Sequence, residues 1–391
     1  MQKTPIFEEK FTIKTISVRV LKEFRVPLAF QDATMGPFQH YNIATITLVD
    51  EDGQEGEAPF FISGIPDAER LFFPLLANLP NTSYKELFPL LYWNIRNEGF
   101  RGRIATTLGQ VDMALYDLAA KRHRLPLHRY LGAKRNAVPA YGSGLGTNYT
   151  EKELRTEALN FAEQGYEIIK MKVGKGFGRC MEEDVRRVKL VRKTLGDYIP
   201  IAVDANQIWT AEEALRFIRQ VADQNIAWFE EPVHSADLHQ IREICQASPV
   251  PVSFGESEKS AKVFPALAEA GVQHLQPVPG YQCNLSEWME IEQLAREKKL
   301  FFSGGGYYQF TSQILACAEQ DTYVEQLKGL NGCLDEYLAV KPELRNGMYH
   351  LPEEPGLSAR VDWNWIKKKD LMAFEKRWDL AEYRSKTLKV N

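Results

Sequence analysis

Cysteines are scarce in this sequence, and no long apolar segment is present. The 391 residues include five scattered cysteines without a Cys-x-x-Cys pair, so we expect reduced thiols in a cytosolic protein. No apolar stretch approaches the roughly 20 residues that span a bilayer. The N-terminal residues already contain acids and lack the apolar core of a signal peptide. The cysteines are Cys180, Cys245, Cys283, Cys317 and Cys333.

The sequence also lacks an excess of positive charge. Lys and Arg number 48 against 52 Asp and Glu, which gives a net charge of −4. No basic field is available to attract nucleic acid or an anionic membrane, so neither is an expected partner. The composition, 44% apolar and 26% charged, is typical of a globular protein. The length suits a barrel plus a second domain.

Strand and helix patterns divide the chain into three stretches. Residues 11–60 are rich in β-forming residues, and residues 66–132 have helical spacing. Residues 137–325 alternate strands with helices, which implies parallel strands and, with eight of them, a closed barrel. The predicted barrel strands are Val138–Tyr141, Ile168–Val173, Ile201–Asp204, Ile226–Phe229, Val252–Phe254, Val272–Gln276, Leu300–Ser303 and Thr322–Glu325.

The predicted domains follow this division. We expect an N-terminal α+β domain over residues 1–133 and a barrel over residues 134–339, with the tail 340–391 packing back on the N-terminal domain. Capping residues support the barrel helices. Thr150 precedes a helix predicted over Glu151–Gln164, and Thr210 with Glu213 forms a capping-box pattern for a helix that reaches about Gln224.

Three acidic residues recur at equal intervals in the barrel. Asp204, Glu230 and Glu256 each follow a short apolar run, and each step is 26 residues. One βα unit has about that length, since eight fit in roughly 250 residues. Equal steps place the carboxylates at one level on neighbouring strands, where they repel each other unless a hard cation such as Mg²⁺ lies between them. Glu231 competes with Glu230 for the middle position, and alternation allows only one of them to face the site; we favour Glu230.

Two lysines share a face of the preceding strand. Lys170 and Lys172 are two residues apart, and two inward cations are costly without a partner or a task. Repulsion between them and a nearby divalent ion would depress the pKa of the amine and leave a base near neutral pH. The structural alternative is a pair of salt bridges to barrel carboxylates.

Other strand-end residues carry weaker signals. Asn206 follows Asp204 on the same face and would bind substrate or orient a ligand, or else form an Asx-turn. Glu325 ends the eighth strand and would serve as a hydrogen-bonding or acidic group, or merely as a cap. The glycines of Ser303–Tyr308 permit close approach of the backbone to a ligand, although a flexible loop fits them equally well.

These motifs together resemble the enolase superfamily, in its branch that contains mandelate racemase and muconate lactonizing enzyme. The resemblance covers nearly the whole chain and includes the segments Gly109–Asp117, His128–Gly132 and Pro352–Leu357. It implies a modified TIM barrel, (β/α)₇β, with an N-terminal α+β capping domain. It also implies Mg²⁺ held by the three carboxylates, and removal of the proton α to a substrate carboxylate. Lys172 would be the base, and Lys170 would tune it and help to hold the substrate carboxylate.

The sequence departs from this family where a second base would stand. The racemase subgroup has an Asp after the sixth strand and a His after the seventh, whereas this chain has Val278 and Ser303-Gly304-Gly305. With a base on one face only, we rank syn dehydration of a hydroxy or sugar acid first and cycloisomerisation second. Tyr307 or Tyr308 as an acid on the far face would restore racemisation or epimerisation. A catalytically inactive relative that binds an acid, and a metal-free sugar-binding barrel, are rival interpretations.

Two N-terminal loops are expected to form a lid over the barrel. They are aromatic and sparse in cations, so they would either touch a substrate with an apolar or sugar-like far end or only seal the barrel. Arg101 and Arg103 are possible anchors for an anion. We expect a small carboxylate substrate and a homo-oligomer. The lid residues are Phe30, Met35, Phe38, His40 and Tyr41 in the first loop, and Phe60 and Phe61 in the second.

Overall fold

A computed structural model describes residues 5–282, 284–327, 329 and 332–384. Residues 11–60 form strands and turns, as predicted, and the tight turn between β4 and β5 begins after Asp50. A four-stranded antiparallel sheet contains β1, β4 and β5 together with the last strand of the chain. The strands are β1 (Ile13–Leu21), β2 (Phe24–Phe30), β3 (Phe38–Tyr41), β4 (Ala44–Asp50) and β5 (Glu55–Pro59).

Helices follow this sheet and cover it. The long helix α3 is buried along nearly its whole length and packs against β5. Gly56 makes this close approach possible, because a Cβ there would lie 2.1 Å from the carbonyl oxygen of Ala114. The helices are α1 (Phe73–Asn78), α2 (Tyr84–Trp93) and α3 (Gly102–Arg122).

Eight parallel strands close into a barrel, which confirms the predicted fold class. Each strand pairs with the next in sequence, and the eighth pairs with the first, Val324 lying opposite Ala140. All eight predicted strands are present, with ends shifted by up to three residues. They are β6 (Ala137–Gly144), β7 (Ile169–Lys172), β8 (Ile201–Asp204), β9 (Ile226–Glu230), β10 (Val252–Phe254), β11 (His274–Leu275), β12 (Phe301–Gly304) and β13 (Tyr323–Leu327).

The barrel helices begin at the predicted caps. Thr150 and Glu153 form a reciprocal capping box, as do Thr210 and Glu213. The second of these helices ends at Val221 instead of Gln224, because the chain turns there and Asn225 adopts a left-handed conformation. The helices are α4 (Glu151–Glu163), α5 (Met181–Leu195), α6 (Ala211–Val221), α7 (Leu238–Ala247), α8 (Phe264–Ala270), α9 (Leu285–Lys298) and α10 (Tyr308–Leu315).

An aromatic plug fills the lower part of the barrel. The indole of Trp228 lies 5.2 Å from the ring of Tyr141 and 4.7 Å from that of His274, measured between ring centroids. Phe301 packs on His274 at 4.3 Å. Nε2 of His274 lies 2.8 Å from Oγ of Ser303, so one of its two ring nitrogens has a hydrogen-bond partner inside the barrel. The plug supports the side chains that lie one layer above it.

The C-terminal segment contacts both domains. The hairpin β14 (Glu343–Arg345) and β15 (Met348–His350) extends the barrel sheet, since β15 pairs antiparallel with β6. After α11 (Trp363–Lys368), strand β16 (Met372–Asp379) pairs along β1. The tail therefore returns to the N-terminal sheet, and its first part also joins the barrel. The domain boundaries at residues 133 and 339 stay predictions.

Two further sequence expectations concern cysteines and membranes. Cys180, Cys245, Cys317 and Cys333 are free thiols, and Cys283 lies outside the described residues. Among the helices that the structure describes, none combines the length and the apolar character that crossing a bilayer requires.

Asp117 on α3 is expected to hold strand β5 and the C-terminal segment against this helix, and its replacement tests this. Its buried carboxylate accepts hydrogen bonds from the backbone N–H groups of Glu57 at 2.7 Å and Leu357 at 2.6 Å, and pairs with Lys121 at 2.6 Å. Because Asp117→Ala leaves these donors unpaired, the free energy of unfolding should fall by about 3 kcal/mol. Urea unfolding followed by circular dichroism measures the change. The exposed control Asp223→Ala should shift it by less than about 0.5 kcal/mol, and equal curves for the two variants would contradict this role.

Candidate active site

Strand register brings three predicted residues side by side. Asp204 on β8 pairs with Lys172 on β7 and with Glu230 on β9. Parallel strands in register hold these side chains at one level, at the carboxyl end of the barrel where functional groups of such folds collect. The local sequences are short apolar runs, which bury each strand and leave a charged residue at its end. The equal spacing along the chain thus corresponds to a common height in the barrel.

The three carboxylates form one cluster. Oxygen atoms of Asp204, Glu230 and Glu256 lie within 4.8 Å of one another. Asp204 and Glu230 are fully buried and Glu256 is partly buried, in the turn after β10. Three convergent carboxylate oxygens are the donor set of a hard divalent cation such as Mg²⁺.

The two lysines lie on the same face as these carboxylates. Nζ of Lys170 lies 2.5 Å from Oε1 of Glu230, 2.8 Å from Oε1 of Glu325 and 3.3 Å from Oδ2 of Asp204. Nζ of Lys172 lies 2.5 Å from the same Oδ2 of Asp204. The shared face predicted for Lys170 and Lys172 is therefore present. Both amines are buried and held by short charge-assisted hydrogen bonds.

The charges of this layer fit a divalent cation. Four carboxylates face two amines, so the layer has a formal charge of −2 when every carboxylate is ionised and both amines are protonated. Uncompensated charge in the interior is costly, and one Mg²⁺ would balance it. The donor chemistry and the charge of the cluster therefore both fit the predicted ion.

The pKa values of the site groups reflect the same imbalance. Burial raises the pKa of Glu230 well above its usual range, and the neighbouring Asp204 carboxylate adds to this. Burial lowers the pKa of Lys172, but the carboxylates of Asp204, Glu256 and Glu325 together outweigh it and the net shift is upward. The sequence predicted a depressed lysine pKa beside a bound divalent ion, and that expectation stays a prediction, whereas the site without an ion shifts the pKa of Lys172 in the opposite direction. The reason is that the prediction counted the neighbouring lysine and the cation but not the carboxylates that surround both amines.

Glu231 and Asn206 stand beside the cluster in different roles. Oε2 of Glu231 accepts hydrogen bonds from Gln207 at 2.8 Å and Ser257 at 3.1 Å, so it points away from Glu230, as alternation requires. Nδ2 of Asn206 lies 3.4 Å from Glu256, and its Oδ1 finds no hydrogen-bond partner within the described part of the chain. Asn206 and Glu231 both have positive φ, at 41° and 36°. Such strained backbone is concentrated at functional sites.

The wall opposite the lysines carries no second base. Val278 follows β11, which lies across the eight-stranded barrel from β7, and it stands where the racemase subgroup has an Asp. Gly305 stands where that subgroup has a His, and a Cβ there would lie 2.7 Å from Oε2 of Glu325. Glu325 itself is paired with Lys170. The departure seen in the sequence therefore leaves these two positions without a proton carrier.

A cavity of about 780 Å³ opens above this layer. Lys172, Asn206, Glu256 and Glu325 line its floor, and Tyr307 lines its side. Phe61 of the second lid loop lies 5.6 Å from the ring of Tyr281, so the N-terminal domain closes onto the barrel. The predicted lid residues all line the cavity: Phe30, Met35, Phe38, His40, Tyr41, Phe60 and Phe61.

Arg101 and Arg103, which the sequence analysis considered as anchors for an anion, lie outside the cavity. Arg101 pairs with Glu258 at 3.0 Å and Arg103 with Asp67 at 2.9 Å, and neither lines the cavity. Those two hypotheses are therefore not supported by the geometry. Two contributors escaped the sequence analysis: Trp228, which donates to Glu230 at 2.9 Å, and Tyr281. Trp228 lies two residues before Glu230 on the same strand, so alternation could have predicted that it shares the face of Glu230. No sequence pattern indicated Tyr281.

Comparisons with known proteins agree with this geometry. The sequence profile described as "Enolase C-terminal domain-like" matches residues 153–365. A 3,6-anhydro-alpha-L-galactonate cycloisomerase of Streptomyces coelicolor is 28% identical over 87% of this chain and 95% of its own length. An L-talarate/galactarate dehydratase of Salmonella typhimurium is 30% identical over 72% of this chain and 70% of its own.

A solved structure shares the fold and holds the predicted ion. It is a racemase from Streptomyces coelicolor with bound magnesium, superposes with a TM-score of 0.82 and is 26% identical. The similarity covers 92% of this chain and 99% of that one. The roles of the individual site residues in this chain stay predictions, which the next experiment addresses.

Removal of one carboxylate should abolish the response to Mg²⁺. Mg²⁺ should raise the melting temperature of the native protein, because a ligand at 100 times its Kd stabilises the fold by roughly 2.7 kcal/mol. Glu256→Gln should lose this rise, and it is preferable to a change at Glu230, whose carboxylate also holds Lys170. Differential scanning fluorimetry with and without Mg²⁺ measures the effect, with the exposed Glu297→Gln as control. An undiminished response in Glu256→Gln would rule out this cluster as the metal site.

Proposed function

This chain belongs to the enolase superfamily, in its mandelate racemase and muconate lactonizing enzyme branch, and from that premise we propose that it is a Mg²⁺-dependent syn dehydratase of a hydroxy or sugar acid. Its relatives are dehydratases, cycloisomerases and epimerases, so the chain is a lyase or an isomerase of this superfamily. The choice of dehydration rests on the arrangement of acid and base groups. A small carboxylate is the proposed substrate.

The reaction assigned to the site uses one face of the substrate. The neutral amine of Lys172 takes the α-proton, and the electron pair of the C–H bond moves into the carboxylate as an enediolate. Return of that pair expels the β-hydroxyl, which takes the proton back from the ammonium of Lys172 and leaves as water. The resulting enol rearranges to a 2-keto-3-deoxy acid. A single acid–base group contributes typically 10²–10⁴-fold to such a rate.

Other groups of the site hold the reacting atoms. Lys170, fixed between Glu230 and Glu325, presents positive charge beside the substrate carboxylate. Asp204, Glu230 and Glu256 would hold the metal, and Asn206 offers a free amide oxygen at the cavity floor. A bound Mg²⁺ supplies charge that stabilises the enediolate and offsets the carboxylates that keep the lysines protonated.

One observation supports the proposal that the reaction uses a single face of the substrate. Val278 and Gly306 line the cavity across the barrel from Lys172 and carry no acid–base group. Racemisation by two bases requires a proton carrier on each face. The sequence suggested Tyr307 as an acid on the far face, but burial raises its pKa to about 12, so the phenolate that the reverse direction needs as a base is scarce at neutral pH. Elimination needs no second carrier.

Cycloisomerisation is the second candidate. It also proceeds with one acid–base group, and the Streptomyces relative of that activity matches this chain over 87% of its length. The rival in which the chain only binds an acid accounts less well for the buried charges. Two lysines and three clustered carboxylates are costly to retain without a task.

We also propose that identical subunits associate. Trp93 is 60% exposed and Leu90 is 47% exposed on α2, and such large apolar side chains on a surface are typical of contact regions. This proposal is independent of the reaction.

Replacement of Lys172 should stop the reaction without preventing metal binding. The protein is incubated in D₂O with Mg²⁺ and a library of hydroxy, sugar and amino-acid-derived carboxylates, and proton NMR follows each α-proton. We expect loss of the α-proton signal and a 2-keto-3-deoxy product. Lys172→Ala should lower the rate by roughly 10²–10⁴-fold, and the exposed Lys262→Ala should leave it unchanged.

The other outcomes separate the alternatives. Rearrangement to an isomer without loss of water would favour cycloisomerisation. Deuterium incorporation without elimination would indicate epimerisation and would return attention to Tyr307. Full activity in Lys172→Ala would overturn its role as the base, whichever product appears.

A further inference from the structure

The three carboxylates of the cluster are not held equally firmly. Oδ2 of Asp204 and Oε1 of Glu230 each lie 2.5 Å from the Nζ of a lysine. By contrast, the carboxylate of Glu256 accepts a hydrogen bond of 3.4 Å from Nδ2 of Asn206, and it is partly exposed in the turn after β10. A hydrogen bond of this length fixes a carboxylate weakly. The position of Glu256 therefore depends on the contacts that hold its turn.

The side chain of Gln207 joins the turns that follow β8, β9 and β10. Its Nε2 donates to Oε2 of Glu231 at 2.8 Å and to Oγ of Ser257 at 2.6 Å. Its Oε1 accepts a hydrogen bond from the backbone N–H of Ser235 at 2.8 Å. Both ends of the amide thus have partners, which sets the orientation of the side chain.

Glu231 and Ser257 complete this link. Oγ of Ser257 donates to Oε2 of Glu231 at 3.1 Å, so the two side chains and Gln207 form a closed ring of hydrogen bonds. Glu231 is buried, and the loss of its donors would therefore be costly. Glu231 directly follows Glu230, and Ser257 directly follows Glu256. The ring therefore couples the backbone positions of two carboxylates on neighbouring strands.

The backbone of the linked turns is strained. The φ angle of Gln207 is 68°, and those of Asn206 and Glu231 are 41° and 36°. Residues with a Cβ adopt such angles at a cost, and they persist where surrounding contacts impose them. The N–H of Gln207 also donates to the carbonyl oxygen of Glu231 at 2.7 Å. The hydrogen bonds of Gln207 therefore help to hold two strained turns together.

We propose that Gln207 is a positioning residue that keeps Glu256 at the metal site. It acts through its bonds to Ser257 and Glu231, which tie the turn of Glu256 to the turn after β9. Gln207 is not among the residues that line the cavity, so its role is not contact with the substrate. The inference rests on the proposed metal site and not on the proposed reaction. Its effect should therefore appear in the affinity for the ion.

Binding of Mn²⁺ to the full chain without substrate tests this assignment, since carboxylate sites accept Mn²⁺ as well as Mg²⁺. The electron paramagnetic resonance signal of free Mn²⁺ gives the Kd, and competition gives the Kd of Mg²⁺. Gln207→Gly removes the side chain and tolerates the positive φ. Both Kd values should rise roughly 10–100-fold, as is typical when a group that orients metal ligands is lost. The matched control is Asn346→Gly, at an exposed left-handed residue between β14 and β15, which should leave them unchanged.

A second pair of variants separates positioning from a general loss of stability. Ser257→Ala should raise the Kd roughly threefold to tenfold, and Ser257→Thr, which keeps the hydroxyl, should restore it. At saturating Mn²⁺ the spectrum of the bound ion should differ between Gln207→Gly and the native protein, because it reports on ligand geometry. This pair also decides the question where Gln207→Gly does not fold.

The outcomes distinguish this inference from the proposed reaction. Unchanged Kd values in Gln207→Gly and Ser257→Ala, or equal weakening by Ser257→Ala and Ser257→Thr, would overturn the inference. Absence of Mn²⁺ binding by the native protein would overturn it together with the metal site. Metal binding that depends on Gln207 supports it even where no acid reacts.

Discussion

The balance of buried charge at the carboxyl end of the barrel is the constraint on which the rest of the structure depends. Asp204, Glu230 and Glu325 are buried beside Lys170 and Lys172, and Glu256 is partly buried at the floor of the cavity. Such a layer is stable only while every charge has a partner at short distance. The in-register pairing of β7, β8 and β9 supplies those distances, and a divalent cation supplies the missing positive charge. Loss of any one member would leave the others uncompensated.

The layer below makes this arrangement possible. Ala202, Trp228 and Tyr323 each precede a charged member of the site by two residues, so they point inward directly beneath it. Their aromatic surface, together with His274, fills the barrel and keeps water from reaching the charged groups from below. Trp228 also donates to Glu230, which ties the two layers together. Water and substrate therefore reach the site from the lid side.

Much of the barrel and its charged layer was predictable because both follow from periodicity. A step of 26 residues corresponds to one βα unit, which places the carboxylates at one height in the barrel. Two lysines separated by one residue on a strand lie on the same face of it. The direction of the lysine pKa was not predictable, since it depends on how many carboxylates converge from strands distant in sequence.

Strands outside the repeated βα units could not be predicted from the sequence for the same reason. Strand β16 has mostly exposed residues and is defined by its partner β1 more than 350 residues earlier, and no local pattern announces that pairing. The hairpin formed by β14 and β15 likewise exists because β6 offers an edge to it. The contact between the rings of Phe61 and Tyr281 likewise joins residues that lie more than 200 positions apart in the chain. Residues that act across the domain interface are therefore the part of this site that only three-dimensional structure reveals.

The site divides its work between the two domains. In the proposed reaction Lys172 meets one face of the α-carbon, and Val278 across the barrel offers no acid–base group to the other face. With one acid–base group, the leaving hydroxyl must lie on the face from which the proton departed, so the barrel would set the stereochemistry of elimination. The lid residues Phe60 and Phe61 belong to the N-terminal domain and line the same cavity. Changes in the lid can therefore alter which acid is accepted while the geometry of proton transfer remains that of the barrel.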